Sequence, residues 1–65
     1  MTTGSPPSPL WRLRKDGQWI ECAARLLPIG IEITVACNGA LLYSRTFSSS
    51  EEALAFAEDE RQERE

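Results

Sequence analysis

Glu21 and Glu32 are the two carboxylates in the apolar middle of this 65-residue chain. Two carboxylates can divide acid and base roles only if their surroundings push their pKa values apart. In the strand pairing argued below, each has an arginine opposite it, which holds both ionised. Histidine is absent, and with it the commonest general base and transition-metal ligand. Ser48, Ser49 and Ser50 are accompanied by no base and have a structural use as helix caps. Gly4, Gly17, Gly30 and Gly39 are scattered through the chain and form no phosphate-cradling loop. Cys22 and Cys37 lack Cys-x-x-Cys spacing and are too few for a disulfide framework, so both are expected as free, buried thiols. A domain this small is also expected to lack a pocket of ~300 Å³ beside its core. No catalytic, cofactor-binding or metal-binding residue is assigned, and the expectation is a protein that is not an enzyme.

What remains is a recognition chemistry. Arg12, Arg14, Arg25 and Arg45 are interleaved with Trp19, Leu41 and Tyr43, a mixture of guanidinium, aromatic and aliphatic groups suited to binding. Whether these residues act together depends on the elements that carry them.

Two dipeptides organise those elements. Asp16-Gly17 lies between "WRLRK" and "QWIECAARL", and Asn38-Gly39 between "IEITVAC" and "ALLYSRTF". Both are two-residue type I′ hairpin signals, because both central positions need positive φ. "LPIG", with Pro28 and Gly30, suits a four-residue loop between them. Four antiparallel strands in a meander follow.

Directly opposed residues share a face, so the turns fix the register. Across Asp16-Gly17, Leu13 opposes Ile20 and Trp11 opposes Cys22. Across the four-residue loop, Leu26 opposes Ile31, Ala24 opposes Ile33, Cys22 opposes Val35 and Ile20 opposes Cys37. Across Asn38-Gly39, Cys37 opposes Ala40, Val35 opposes Leu42 and Ile33 opposes Ser44. The expected inner set is Trp11, Leu13, Ile20, Cys22, Ala24, Leu26, Ile31, Ile33, Val35, Cys37 and Leu42. Cys22 and Cys37 then lie diagonally, beyond the ~7 Å that a disulfide tolerates.

"SSSEEALAFAEDERQERE" supplies a cover for that face. Ser49 with Glu52 reads as a capping box, with Ser48 and Glu51 as the alternative frame. Ala53, Leu54, Phe56 and Ala57 form the apolar stripe. Everything after Ala57 is polar or charged, and the last two turns are expected to be solvated. The fold class is thus α+β, a β-β-β-β-α meander with one helix on one face. Residues 1–9, with Pro6, Pro7 and Pro9, read as a flexible Pro/Ser-rich arm before a single domain at 10–65.

The other face is left open. Alternation assigns to it Arg12, Arg14, Trp19, Glu21, Ala23, Arg25, Glu32, Thr34, Ala36, Leu41, Tyr43 and Arg45. Arg14 should lie over Trp19, with Arg12–Glu21 and Glu32–Arg45 as ion pairs. Strand 4 has a single charge and no proline, an edge little protected against pairing. This composition suggests a small protein-interaction module, a homodimer associating through the open face and the strand-4 edge, with a further protein partner unidentified. The alternative is a single-stranded nucleic-acid-binding protein using Trp19, Tyr43 and the sheet arginines. The β4α order is similar to one repeat of Whirly-type and Pur-type single-stranded nucleic-acid-binding folds, in topology and without a shared motif.

The net charge of −3 is unevenly spread. Residues 10–47 carry five basic against three acidic side chains, and residues 48–65 two against seven. The acidity and the glutamates in the open face argue against a phosphate-tracking surface. No apolar run reaches the ~18 residues of a membrane span, and "MTTGSPPSPL" has neither the basic nor the apolar region of a secretory signal. The expected location is a bacterial cytoplasm.

Overall fold

A computed structural model describes residues 7–65. Its strands are β1 (Ser8–Lys15), β2 (Gln18–Leu27), β3 (Gly30–Cys37) and β4 (Ala40–Phe47), followed by helix α1 (Ser50–Arg64). The strands form one antiparallel sheet in the order β1-β2-β3-β4. The α+β meander expected from the turns is the observed architecture. Asp16, Gly17, Asn38 and Gly39 all have positive φ, as type I′ turns require.

β1 begins two residues earlier than expected. Ser8 and Pro9 pair with Ala24 and Ala23, Pro7 precedes the strand, and residues 1–6 of the anticipated arm lie outside the described residues. Pro9 is accommodated because β1 is an edge strand, where a missing N–H need not interrupt a ladder. Leu10 is an extra residue in this pairing, a bulge between Pro9 and Trp11.

The β1–β2 and β2–β3 registers match the sequence reading pair for pair, from Trp11↔Cys22 and Leu13↔Ile20 to Ile20↔Cys37 and Leu26↔Ile31. At the β2–β3 turn, Gly30 has a φ of +154°, and a Cβ there would overlap the Phe47 carbonyl oxygen. Only glycine fits.

The third hairpin departs from expectation. Cys37↔Ala40 and Ala36↔Leu41 pair as the turn dictates, but Val35 then opposes Tyr43 instead of Leu42, and Ile33 opposes Arg45 instead of Ser44. Leu42 is the extra residue of a second bulge. Beyond it β4 is inverted relative to the expectation, so Tyr43, Arg45 and Phe47 turn to the helix side. The physical reason is the partner on that side: Phe56 of α1 meets Tyr43 edge-on at 6.4 Å between centroids and Phe47 at 5.3 Å. An unbulged β4 would present Leu42, Ser44 and Thr46 instead, less apolar area and two hydroxyls.

Ile20, Cys22, Ile33 and Val35 of the sheet and Ala53 and Ala57 of the helix form the buried core. The two alanines let the helix backbone approach the sheet closely. Trp11 reinforces this contact by donating its Nε1–H to the Ala57 carbonyl at 3.0 Å. The expected inner set is otherwise only partly buried: Leu13 and Cys37 are half-buried, while Leu26 and Leu42 are exposed. α1 starts beside Phe47 and ends beside Lys15, a diagonal that leaves Leu26 at one corner and Leu42 at the other. Leu54, assigned to the apolar stripe, points away from the core and is 56% exposed.

Ser49 is the N-cap, accepting from the Glu52 N–H while its hydroxyl lies 3.3 Å from the Glu52 carboxylate, so the first of the two capping frames is the one used. The last two turns, expected to be solvated, are tied down. Glu60 and Arg64 both reach Tyr43 Oη, and Lys15 Nζ donates to the Arg64 and Glu65 carbonyls, which helix geometry leaves without partners. The C-terminal half of α1 is therefore held by polar contacts where apolar residues run out. No helix among the described residues is long and apolar enough to cross a membrane.

Candidate interaction surface

The open face takes its character from strand alternation and four rows of opposed residues. At the end nearest the type I′ turns, Arg14 faces Trp19 across β1–β2, and the Arg12 and Arg14 guanidinium carbons lie 5.7 and 5.3 Å from the indole centroid. Such cation–π contacts fix the orientation of an exposed ring at modest energy. The Trp19 strand position is fixed in turn by Asn38, whose Oδ1 accepts from the Trp19 N–H at 2.9 Å while its own N–H donates to the Trp19 carbonyl.

One step along the sheet, Arg12 holds Glu21 through Nε and Nη2, at 3.0 and 2.6 Å. Ala36 and Leu41 continue that row. Next come Ala23, Thr34 and Ser44, small side chains on three adjacent strands. At the far end Arg25 and Glu32, directly opposed, pair at 2.7 Å. The expected Glu32–Arg45 pair does not form, because the bulge has taken Arg45 to the other side. Glu21 and Glu32 thus each keep an arginine, though not in both cases the predicted one.

Of the seven residues singled out from sequence, Arg12, Arg14, Trp19, Arg25 and Leu41 share the open face. Tyr43 and Arg45 do not. Tyr43 is half-buried against Phe56 and hydrogen-bonded to Glu60 and Arg64. Arg45 lies over Phe47 and Phe56, its guanidinium carbon 5.8 and 5.4 Å from their centroids. Their places on the face are taken by Ser44 and Thr46, and Leu42, unpaired in the bulge, is exposed next to Leu41. A signal for this existed: Tyr43 and Phe47 recur at strand period but out of phase with Ala40, which the turn places inward.

The face has relief. A depression of about 440 Å³ is lined by Arg12, Trp19, Glu21, Asn38 and Gly39. A second, of about 260 Å³, is lined by Arg25, Glu32, Thr34, Leu41, Ser44 and Pro7. Both lie on the open face, whereas the pocket expected to be missing is one beside the core. The open face carries three arginines against two glutamates, and of those three Arg14 alone has no carboxylate partner among the described residues.

Behind the face, Cys22 is fully buried and Cys37 half-buried, both free. Burial pushes the Cys22 thiol up to about 11, and the nearby Glu60 carboxylate adds to the shift. Such a thiol is a poor nucleophile at neutral pH.

Compared with known proteins, the chain matches no family model, no curated sequence and no solved structure.

Proposed function

We propose that this protein is a small non-enzymatic interaction module, homodimeric in solution, whose binding surface is the open sheet face together with the Leu41–Leu42 shoulder of β4. The carrying observation is the exposure of Trp19 and Leu41, at 45% and 64%, on the sheet face that α1 does not cover, with Leu42 exposed at 49% on the neighbouring bulge. Exposed apolar side chains scattered singly need no explanation, but a tryptophan held in place by two arginines and a paired leucine shoulder form a surface with fixed shape. Mixed arginine and aromatic composition is what protein contacts favour. A chain this small also gains from association, since a core of six buried residues gives it a thin margin of stability.

The single-stranded nucleic-acid alternative is weakened by the corrected face. One aromatic and one arginine have moved to the helix side, and two of the remaining three arginines are engaged by glutamates. The test is sedimentation equilibrium of the wild type and of Leu41→Lys up to high micromolar concentration. A concentration-dependent dimer that Leu41→Lys weakens is expected; a wild type that stays monomeric overturns homodimerisation.

A further inference from the structure

We infer that the depression beside Trp19 takes an extended segment of a partner protein, one carboxylate of which pairs with Arg14 while an apolar side chain further along it lies over Ala36 and Leu41. This rests on the reading of the open face as the binding surface and names the chemistry of its partner.

Charge carries the first part. Arg12 and Arg25 are each held by a glutamate of the same face, whereas Arg14 has no carboxylate partner among the described residues. Its guanidinium is nonetheless held in place, 5.3 Å from the Trp19 ring centroid. A planar cation so positioned and lacking an anion is suited to one carboxylate, which it can engage through two parallel N–H bonds. Its surroundings favour that anion. Arg14 also borders a hollow of about 250 Å³ with Lys15, Arg64 and Glu65, and Glu65 is itself engaged by Arg61.

The depression offers a peptide unit both kinds of hydrogen-bond partner. Both Arg12 bonds go to Glu21 Oε2, so Glu21 Oε1 accepts from no described residue. Asn38 Oδ1 accepts from the Trp19 N–H, and the Asn38 amino group donates to no described residue. An acceptor and a donor thus line the same depression of about 440 Å³, and a backbone N–H and C=O complement them. Gly39 leaves the turn side open, since even a Cβ there would meet no neighbouring atom within 4 Å.

Leu41 supplies the apolar end, beyond Glu21 and Ala36 in the same row. β1 and β4 are three strand spacings apart, about 14 Å, which about four extended residues cover. Side chains four apart in an extended segment point the same way, so one carboxylate and one apolar group can reach both ends. A nucleic-acid strand fits less well. It brings a phosphate with every nucleotide to a face that has one unpaired arginine, and Glu21 and Glu32 repel the others.

The test titrates the full chain, labelled with nitrogen-15, with a short blocked serine–threonine peptide carrying one glutamate and, four residues on, one leucine. A second peptide has glutamine in place of glutamate. The glutamate peptide at millimolar concentration should shift the amide signals of Trp19, Glu21 and Asn38, and Arg14→Gln, shown to be folded by circular dichroism, should bind it about three- to tenfold more weakly. The glutamine peptide should lose a similar factor against the wild type and nothing further against Arg14→Gln, a coupling that a merely structural role of Arg14 would not produce. Equal binding of the two peptides by the wild type denies the carboxylate contact, and shifts given only by a single-stranded oligonucleotide assign Arg14 to phosphate; either result overturns the peptide inference. So does the absence of any shift, while a dimer that Leu41→Lys weakens would then leave the interaction reading standing. A wild type that neither dimerises nor binds either probe overturns both.

Discussion

The β1–β2 and β3–β4 hairpins begin alike and end differently. Each starts from an acidic or amide residue followed by glycine in a type I′ turn, and each carries alternating apolar residues. From its turn, β1–β2 keeps strict register through Trp11↔Cys22, whereas β3–β4 shifts by one residue after two pairs. The difference lies in what stands over each strand. Trp11 and Leu13 already face the helix in the register that Asp16-Gly17 sets. Tyr43 and Phe47 would face solvent in the register that Asn38-Gly39 sets, and one bulged leucine brings both under Phe56. A turn fixes register only as far as the next large side chain that a second layer can bury.

The largest effect that tests this contrast is Phe47→Ala. Complete removal of a buried phenylalanine costs about 3–5 kcal/mol, and at this half-buried site a loss of roughly 2–3 kcal/mol is expected in urea unfolding. In the unbulged register Phe47 would be an exposed side chain, and a change under about 0.5 kcal/mol would show that the bulge does not form.

Tyr43→Phe should cost less, about 1 kcal/mol, by removing the hydroxyl that Glu60 and Arg64 share while keeping the ring against Phe56. Hydrogen exchange should locate the loss in the last two turns of α1. Uniform destabilisation with no change at residues 58–64 would mean that the polar clamp does not hold the helix end.

Cys22 reports on the undisturbed hairpin. Its folded pKa of about 11 lies above the ordinary 9.0, so between these values the unfolded chain releases a proton that the folded chain retains. Stability from this group is full below pH 9 and declines as pH rises toward 11. Cys22→Ala should lower stability overall and flatten that alkaline decline. At pH 8 a neutral thiol reagent should modify Cys37 well before Cys22, and rapid labelling of Cys22 in native protein would contradict its burial.

The smallest effect is the most particular to the comparison. Deleting Leu42 joins Leu41 to Tyr43 and makes β3–β4 regular, with Tyr43, Arg45 and Phe47 still inward. Stability should change by less than about 1 kcal/mol, in contrast to the usual consequence of removing a strand residue, which inverts every side chain beyond it. Loss of the fold on deletion would show that Leu42 itself, rather than the register it adjusts, is required.

The sequence by itself determined the four strands, the helix with a serine cap in one of two frames, and two of three registers, because these follow from local chemistry. Positive-φ dipeptides select a turn, the turn opposes Ile20 with Leu13, and Ser49 with Glu52 closes a helix start whatever surrounds it. The same local logic placed Arg14 over Trp19 and Arg12 beside Glu21. Tertiary structure alone decided where β4 shifts, since the alternatives differ little along the strand and much in what Phe56 meets. It likewise decided that Tyr43 and Arg45 leave the candidate face, that Leu42 is the bulged residue, and that Glu60, Arg64 and Lys15 anchor a helix end with no apolar residue to offer. A charged residue in sequence reads as solvated, and it becomes a structural contact only when a tyrosine hydroxyl or an unpaired helix carbonyl lies within reach, which is a property of the folded arrangement.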